Sequence, residues 1–183
     1  MTALPRTDRY TSVAIGLHWG IAALVIFNLV LGIGHDALPR DWQVMPVHKA
    51  VGITVLFLSI ARLGWRLTHQ PPAFAVGTAP WEKLLAKTVH WLFYALLIIV
   101  PLSGWMMVSG SDVRRPLTFF WLFDIPYLPV GKAAGDFGHE AHEVLGLLMA
   151  GLAAIHILAA LFHHLVRHDA TLARMIPLLK RSA

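Results

Sequence analysis

Four runs of apolar residues, at 13–34, 45–67, 84–109 and 141–167, are each long enough to cross a bilayer as a helix. A spanning helix needs about 20 mostly apolar residues, because the hydrocarbon core is about 30 Å thick and each residue rises about 1.5 Å. The composition agrees: 57% of the 183 residues are hydrophobic and the mean hydropathy is +0.63, too apolar for a soluble domain of this length. The first run is too long for a cleavable signal peptide and has no small-residue cleavage site after it. The sequence therefore predicts an all-α integral membrane four-helix bundle, with residues 1–183 forming a single transmembrane domain.

The connections differ in character. Between the second and third runs, "THQPPAFAVGTAPWEK" is broken by Pro and Gly. Between the third and fourth, "GSDVRRPLTFFWLFDIPYLPVGKAAGDFGHE" is longer and rich in Trp and Phe, which suits a segment lying along the membrane interface as a short helix or lid. The formal charge of +5 gathers into no soluble basic patch, so nucleic acid is not the partner; the bilayer is. Lys and Arg report orientation instead. Arg6, Arg9, Arg62, Arg66, Lys83, Lys87, Arg167, Arg174, Lys180 and Arg181 fall on one side, ten of the fifteen. Arg40, Lys49, Arg114, Arg115 and Lys132 fall on the other. Both termini are expected in the cytoplasm.

Eleven histidines, most of them in or beside the apolar runs, then need an explanation. Five lie in 138–165 alone: His139, His142, His156, His163 and His164. Ionisable groups inside a membrane are costly and usually functional. Orientation gives each a depth. His48 and His142 begin the second and fourth spans at the outer side, while His18 lies near the cytoplasmic end of the first. His156 follows His142 by 14 residues, about 21 Å deeper and within roughly 40° of the same helix face. One face of the fourth span thus offers a ligand at each of two depths, and each has a counterpart, His48 outside and His18 inside.

That constellation suits two b-type haems, each held by two imidazoles from facing helices. Gly52, Gly146, Ala22 and Ala160 each follow one of these histidines by four residues, leaving room for a flat macrocycle, although small residues also serve close helix packing. The absence of cysteine excludes disulfides, Cys-ligated zinc, iron–sulfur clusters and a c-type haem attachment. "HEAHE" lacks the i, i+4 pair of H-E-x-x-H because position 143 is Glu. His139 and His142 could share a metal with His48, but that leaves His18 and His156 unexplained. His35, His69 and His168 read as interfacial or hydrogen-bonded side chains.

The chain resembles the bacterial cytochrome b561 family of small dihaem membrane proteins. The matching pieces are "LHW" (17–19), "VHKAVG" (47–52), "ARLGWR" (61–66), "PLSG" (101–104), "AHEVLG" (141–146) and "IHILAALFHHL" (155–165), in order along nearly the whole chain. The resemblance implies an outer haem b on His48 and His142, an inner one on His18 and His156, and a bacterial inner-membrane location. It also implies an oxidoreductase that takes electrons from superoxide at the periplasmic face and reduces ubiquinone in the membrane. The alternative is a module that exchanges electrons between quinol and a periplasmic redox protein. A bundle without haem is the third reading.

Superoxide is an anion, so its entry should offer cations. Lys49, beside His48, is the first candidate, with Arg114 and Arg115 in the outer loop. Seven outer acids (Asp36, Asp41, Asp112, Asp124, Asp136, Glu140 and Glu143) outnumber the five bases, so any steering must be local. Quinone reduction needs a proton source, for which His90, His163 and His164 are candidates at the cytoplasmic depth. Arg9, Arg62 and Arg66 stand where they could neutralise haem propionates or reach lipid phosphate.

Overall fold

The computed structural model describes residues 9–74, 77–113 and 115–176. Four long helices dominate: α1 (Ser12–Gly34), α2 (Val44–Thr68), α3 (Pro80–Ser109) and α4 (Lys132–Leu165). All four are long and apolar enough to cross a membrane. They pack in sequence, α1 on α2, α2 on α3 and α3 on α4. By contrast, α4 makes at most marginal backbone contact with α1 and α2. The bundle has a terminal end, where α1 begins and α4 finishes, and a loop end, which carries the α1–α2 and α3–α4 connections.

Local chemistry explains the helix boundaries. Thr11 caps α1, its Oγ1 accepting from the Ala14 amide at 3.2 Å. In α3, Pro80 takes the first turn, where a missing N–H costs nothing, and Glu82 Oε2 accepts from the Ala79 amide at 2.9 Å. Gln43 precedes α2 in the left-handed region (φ 48°), turning the chain sharply into the helix. Helix α4 starts at Lys132, nine residues ahead of its apolar run, because its first turns lie against the end of α3. A Cβ on Gly135 would come within 2.7 Å of Gly110, and one on Gly138 within 2.9 Å of Met107 N and Ser103 O. This backbone-to-backbone approach is what small residues permit between membrane helices.

The α3–α4 connection corrects the expectation of a short helix. It contains a two-stranded antiparallel hairpin, β1 (Thr118–Phe119) and β2 (Phe123–Asp124), with Phe119 opposite Phe123. The turn is made by Phe120 (φ 45°) and Trp121 (φ 61°), with the Leu122 amide donating to Phe119 O at 2.9 Å. Bulky residues rarely adopt this backbone, and Asn-Gly would ordinarily occupy it. The Phe119 and Phe123 rings stack across the pair at 5.2 Å. Below the hairpin, Leu117 and Ile125 pack with Ile53 and Val108. Trp105 donates its indole N–H to Pro126 O, and Lys49 its ammonium to Pro116 O, so the loop is held to α3 and α2.

The main core is a cluster of Ile21, Val51, Val55, Leu96, Leu97 and Met149, drawing on all four helices. It sits midway along the bundle. The histidines lie on either side of it.

Candidate functional site

At the loop end the structure brings together His48 of α2 and His142 of α4, ring centres 5.9 Å apart and planes at 89°. Each ring is fixed from behind by a backbone carbonyl. His48 Nδ1 donates to Asn28 O at 3.1 Å, and His142 Nδ1 donates to Val100 O at 2.8 Å. A carbonyl can only accept, so Nδ1 carries a proton in both rings, and in the neutral imidazole Nε2 is then the nitrogen with the lone pair. That is the tautomer of an imidazole ready to ligate a metal, oriented by a hydrogen bond on its other nitrogen.

The same local device makes both contacts. Asn28 precedes Gly32 by four residues on α1, and Val100 precedes Gly104 by four on α3. A helical carbonyl points towards residue i+4, where a side chain would fend off a neighbouring ring. With glycine there, the imidazole lies against the backbone: a Cβ on Gly32 would stand 2.8 Å from His48 Cε1, and one on Gly104 2.9 Å from His142 Cε1 and Nδ1. Ser103, itself bonded to Val100 O, adds a 3.4 Å contact to His142 Nδ1. Gly32 and Gly104 are not among the small residues four positions after the histidines (Gly52, Gly146, Ala22 and Ala160) from which room for a macrocycle was expected. Of those, Gly52 has only the Asn28 amide nearby and Gly146 faces open space.

At the terminal end, His18 of α1 and His156 of α4 face each other at 6.4 Å and 80°. His90 of α3 joins them, 5.9 Å from His156, and the Phe93 ring closes the other side at 5.2 Å. The Arg62 guanidinium acts electrostatically on all three imidazoles and lies over the Tyr94 ring at 5.7 Å. Arg66 stands near His90 and Tyr10. Burial pushes the Tyr10 phenol up, opposed by the cations Arg66, Arg174 and Arg62. Arg9 is exposed beside it. His18 Nδ1 and Arg174 Nε are buried with no hydrogen-bond partner.

Two turns beyond His156, His163 bonds through Nδ1 to Asp169 Oδ2 at 2.5 Å, and Arg167 pairs with Glu82 of α3. His164 is half-buried on the next position. At the loop end, Lys49 is half-buried with Arg115 within electrostatic reach, while Arg115 itself is exposed. Arg114 lies outside the described residues. Lys132 is occupied by Asp112 at 3.0 Å and Asp136 at 3.5 Å. A cleft of about 380 Å³ opens among Pro116, Leu117, Asp124, Ile125 and Tyr127. His139 is exposed on α4.

The two facing pairs reach across the side of the bundle where α4 is not packed on α1 or α2. At the loop end the committed Nδ1 groups and the glycine cradles, and at the terminal end the unpartnered His18 Nδ1, fit a metal-centred group between each facing pair.

Four apolar helices with imidazole pairs facing one another at both ends define a membrane cytochrome of the b type. The chain belongs to the prokaryotic cytochrome b561 family, whose model matches residues 9–178. It is a membrane electron-transfer protein, and haem b is the cofactor that the family implies. Among its relatives, cytochrome b561 homolog 2 of Escherichia coli is 30% identical over 92% of each chain. Cytochrome b562 of Cereibacter sphaeroides is 31% identical over 91% of this chain and 94% of its own. A Yersinia pestis protein named probable superoxide oxidase CybB is 29% identical over 92% of this chain and 96% of its own.

Proposed function

We propose that the chain binds two haems b, one on His48 and His142 and the other on His18 and His156, oxidises superoxide at the loop end and reduces ubiquinone in the membrane. The observation that carries this reading is the pair of facing imidazoles at each end, with Nδ1 of the loop-end pair committed to carbonyls. When bound, haem b supplies one-electron storage. The chain's own residues supply position, charge and protons. The Lys and Arg distribution favours the loop end as periplasmic and both termini as cytoplasmic, in a bacterial inner membrane.

Lys49 and Arg115, with Arg114 in the same loop, form the cationic entry for the superoxide anion. Arg62, Arg66 and Arg9 neutralise propionate charge at the terminal end. His90, His163 and His164 flank the quinone there. The relative named as a probable superoxide oxidase supports the choice of electron donor. The aromatic hairpin, with Trp121, Leu122 and Phe123 exposed at the loop end, suits a docking periplasmic redox protein and keeps the electron-exchange module as a second reading.

A pulse of superoxide onto the oxidised, haem-loaded protein separates the two. Rapid haem reduction that slows with added salt is the expected result, and no reduction rules out superoxide as donor. A purified protein without a Soret band would remove both readings.

A further inference from the structure

Helix α4 ends in a turn that sends the chain back on itself. The Val166 and Arg167 amides both donate to Phe162 O, His168 takes a left-handed conformation (φ 52°), and the Asp169 amide donates to His163 O at 3.1 Å. A non-glycine residue in that region is uncommon and needs the surroundings to hold it. The result of the reversal is specific: Asp169 Oδ2 meets His163 Nδ1 at 2.5 Å, both side chains 26% exposed. The other carboxylate oxygen, Oδ1, accepts from the Thr171 amide at 2.9 Å, so the carboxylate cannot swing away.

We propose that Asp169 is a positioning residue for quinone reduction, holding His163 with its Nδ1–H on the carboxylate so that Nε2 delivers protons to the quinone oxygens. The proposal rests on the quinone reading above. Overall, two superoxide ions each lose one electron and become dioxygen, while the quinone gains both electrons and two protons and becomes the quinol. In each proton step the Nε2–H bond of doubly protonated His163 breaks and a quinol O–H bond forms. His163 then recovers its proton from water at the terminal end. Throughout, the Nδ1–H stays on Asp169, as an imidazole needs if it is to give up Nε2–H without becoming an anion.

The surroundings are consistent with this division of labour. Glu82 of α3 acts electrostatically on His163 but is tied by Arg167 and the Ala79 amide, so among the described residues the carboxylate bonded to the ring is that of Asp169. In Asp169→Asn the amide oxygen can still accept from Thr171, which points the NH₂ group at His163. Nδ1 must then become an acceptor, and the ring loses the proton arrangement that permits donation while the turn survives.

The test uses the full-length, haem-loaded chain in lipid nanodiscs, with a short-chain ubiquinone and a steady superoxide source. Quinol formation is the activity readout, and the ¹H NMR signal of the His163 Nδ1 proton, assigned by its loss in His163→Gln, is the second. The wild type should show that proton far downfield. D169N should lose the signal and reduce kcat about tenfold or more with KM unchanged. Asp169→Glu should recover part of both. Wild-type turnover in D169N, or lost turnover with the downfield proton retained, overturns the proposal. A wild type that is reduced by superoxide yet makes no quinol overturns the quinone reading and this proposal with it.

Discussion

The His48 imidazole lies directly on Gly32, so close that a Cβ there would stand 2.8 Å from its Cε1. The His142–Gly104 contact repeats it on the opposite side of the bundle, with a carbonyl four residues earlier as hydrogen-bond acceptor each time. Ring position is therefore set by the backbones of α1 and α3, helices that contribute no imidazole to this pair.

Gly32→Ala or Gly104→Ala should push one ring off its carbonyl. Overpacking of this kind costs about 1–3 kcal/mol, and here the strain falls on the imidazole. Either variant should keep its helix content and one haem but lose or weaken the loop-end haem. Haem-to-protein ratio and the Soret intensity check this; full occupancy with unchanged potentials would refute it.

The two pairs should also fail separately. His142→Ala leaves His48 without a counterpart while His18 and His156 still face each other at 6.4 Å. One haem should be lost and the other retained, with the reverse selectivity in His156→Ala. Pyridine haemochrome quantification with redox titration reads the outcome. Loss of neither haem breaks the ligand assignment.

The long elements were legible because a bilayer makes strong demands: about 20 apolar residues per span, and a reason for every histidine inside one. The depth pairing of His48 with His142 and of His18 with His156 needed only helical rise and orientation, and the structure brings those rings together. His90 was legible in depth but not in its contact with His156, which depends on how α3 is rotated. Gly32 and Gly104 were hidden for the same reason, since their role exists only relative to a ring on another helix. The hairpin was hidden because Phe120 and Trp121 carry no turn signal, yet both take the left-handed conformations that the turn requires. Asp169 was hidden because its return to His163 depends on the reversal at His168.

That reversal should be sensitive to acid. Burial alone would raise the Asp169 carboxyl, but hydrogen bonds from Thr171 and His163 outweigh it and hold the group below its ordinary 3.8. A carboxylate depressed in the folded state stabilises that state above its unfolded pKa, and the contribution fades as pH falls through the lower folded value. Proteolysis of the segment after α4 should therefore be slow at neutral pH and accelerate below about pH 4. A cleavage rate that does not change with acidification would contradict the linkage.

Lys49 is the last residue whose role can be isolated. Of the loop-end cations, Lys132 is neutralised by Asp112 and Asp136, whereas Lys49 follows His48 directly, donates to a neutral carbonyl and has Arg115 nearby. Its charge is therefore uncompensated close to the loop-end pair, while the acids of the same face cancel any broader field. A local charge of this kind accelerates the approach of an anion only over about one Debye length, about 8 Å at physiological salt. Lys49→Gln should slow superoxide-driven haem reduction severalfold at low salt and flatten its salt dependence. Lys49→Arg, which keeps the charge, should retain most of the rate. Stopped-flow measurement across ionic strengths checks both, with haem content confirming that the loop anchored on Pro116 has not disturbed the site. Equal rates and equal salt slopes in K49Q and the wild type would remove Lys49 from the entry path.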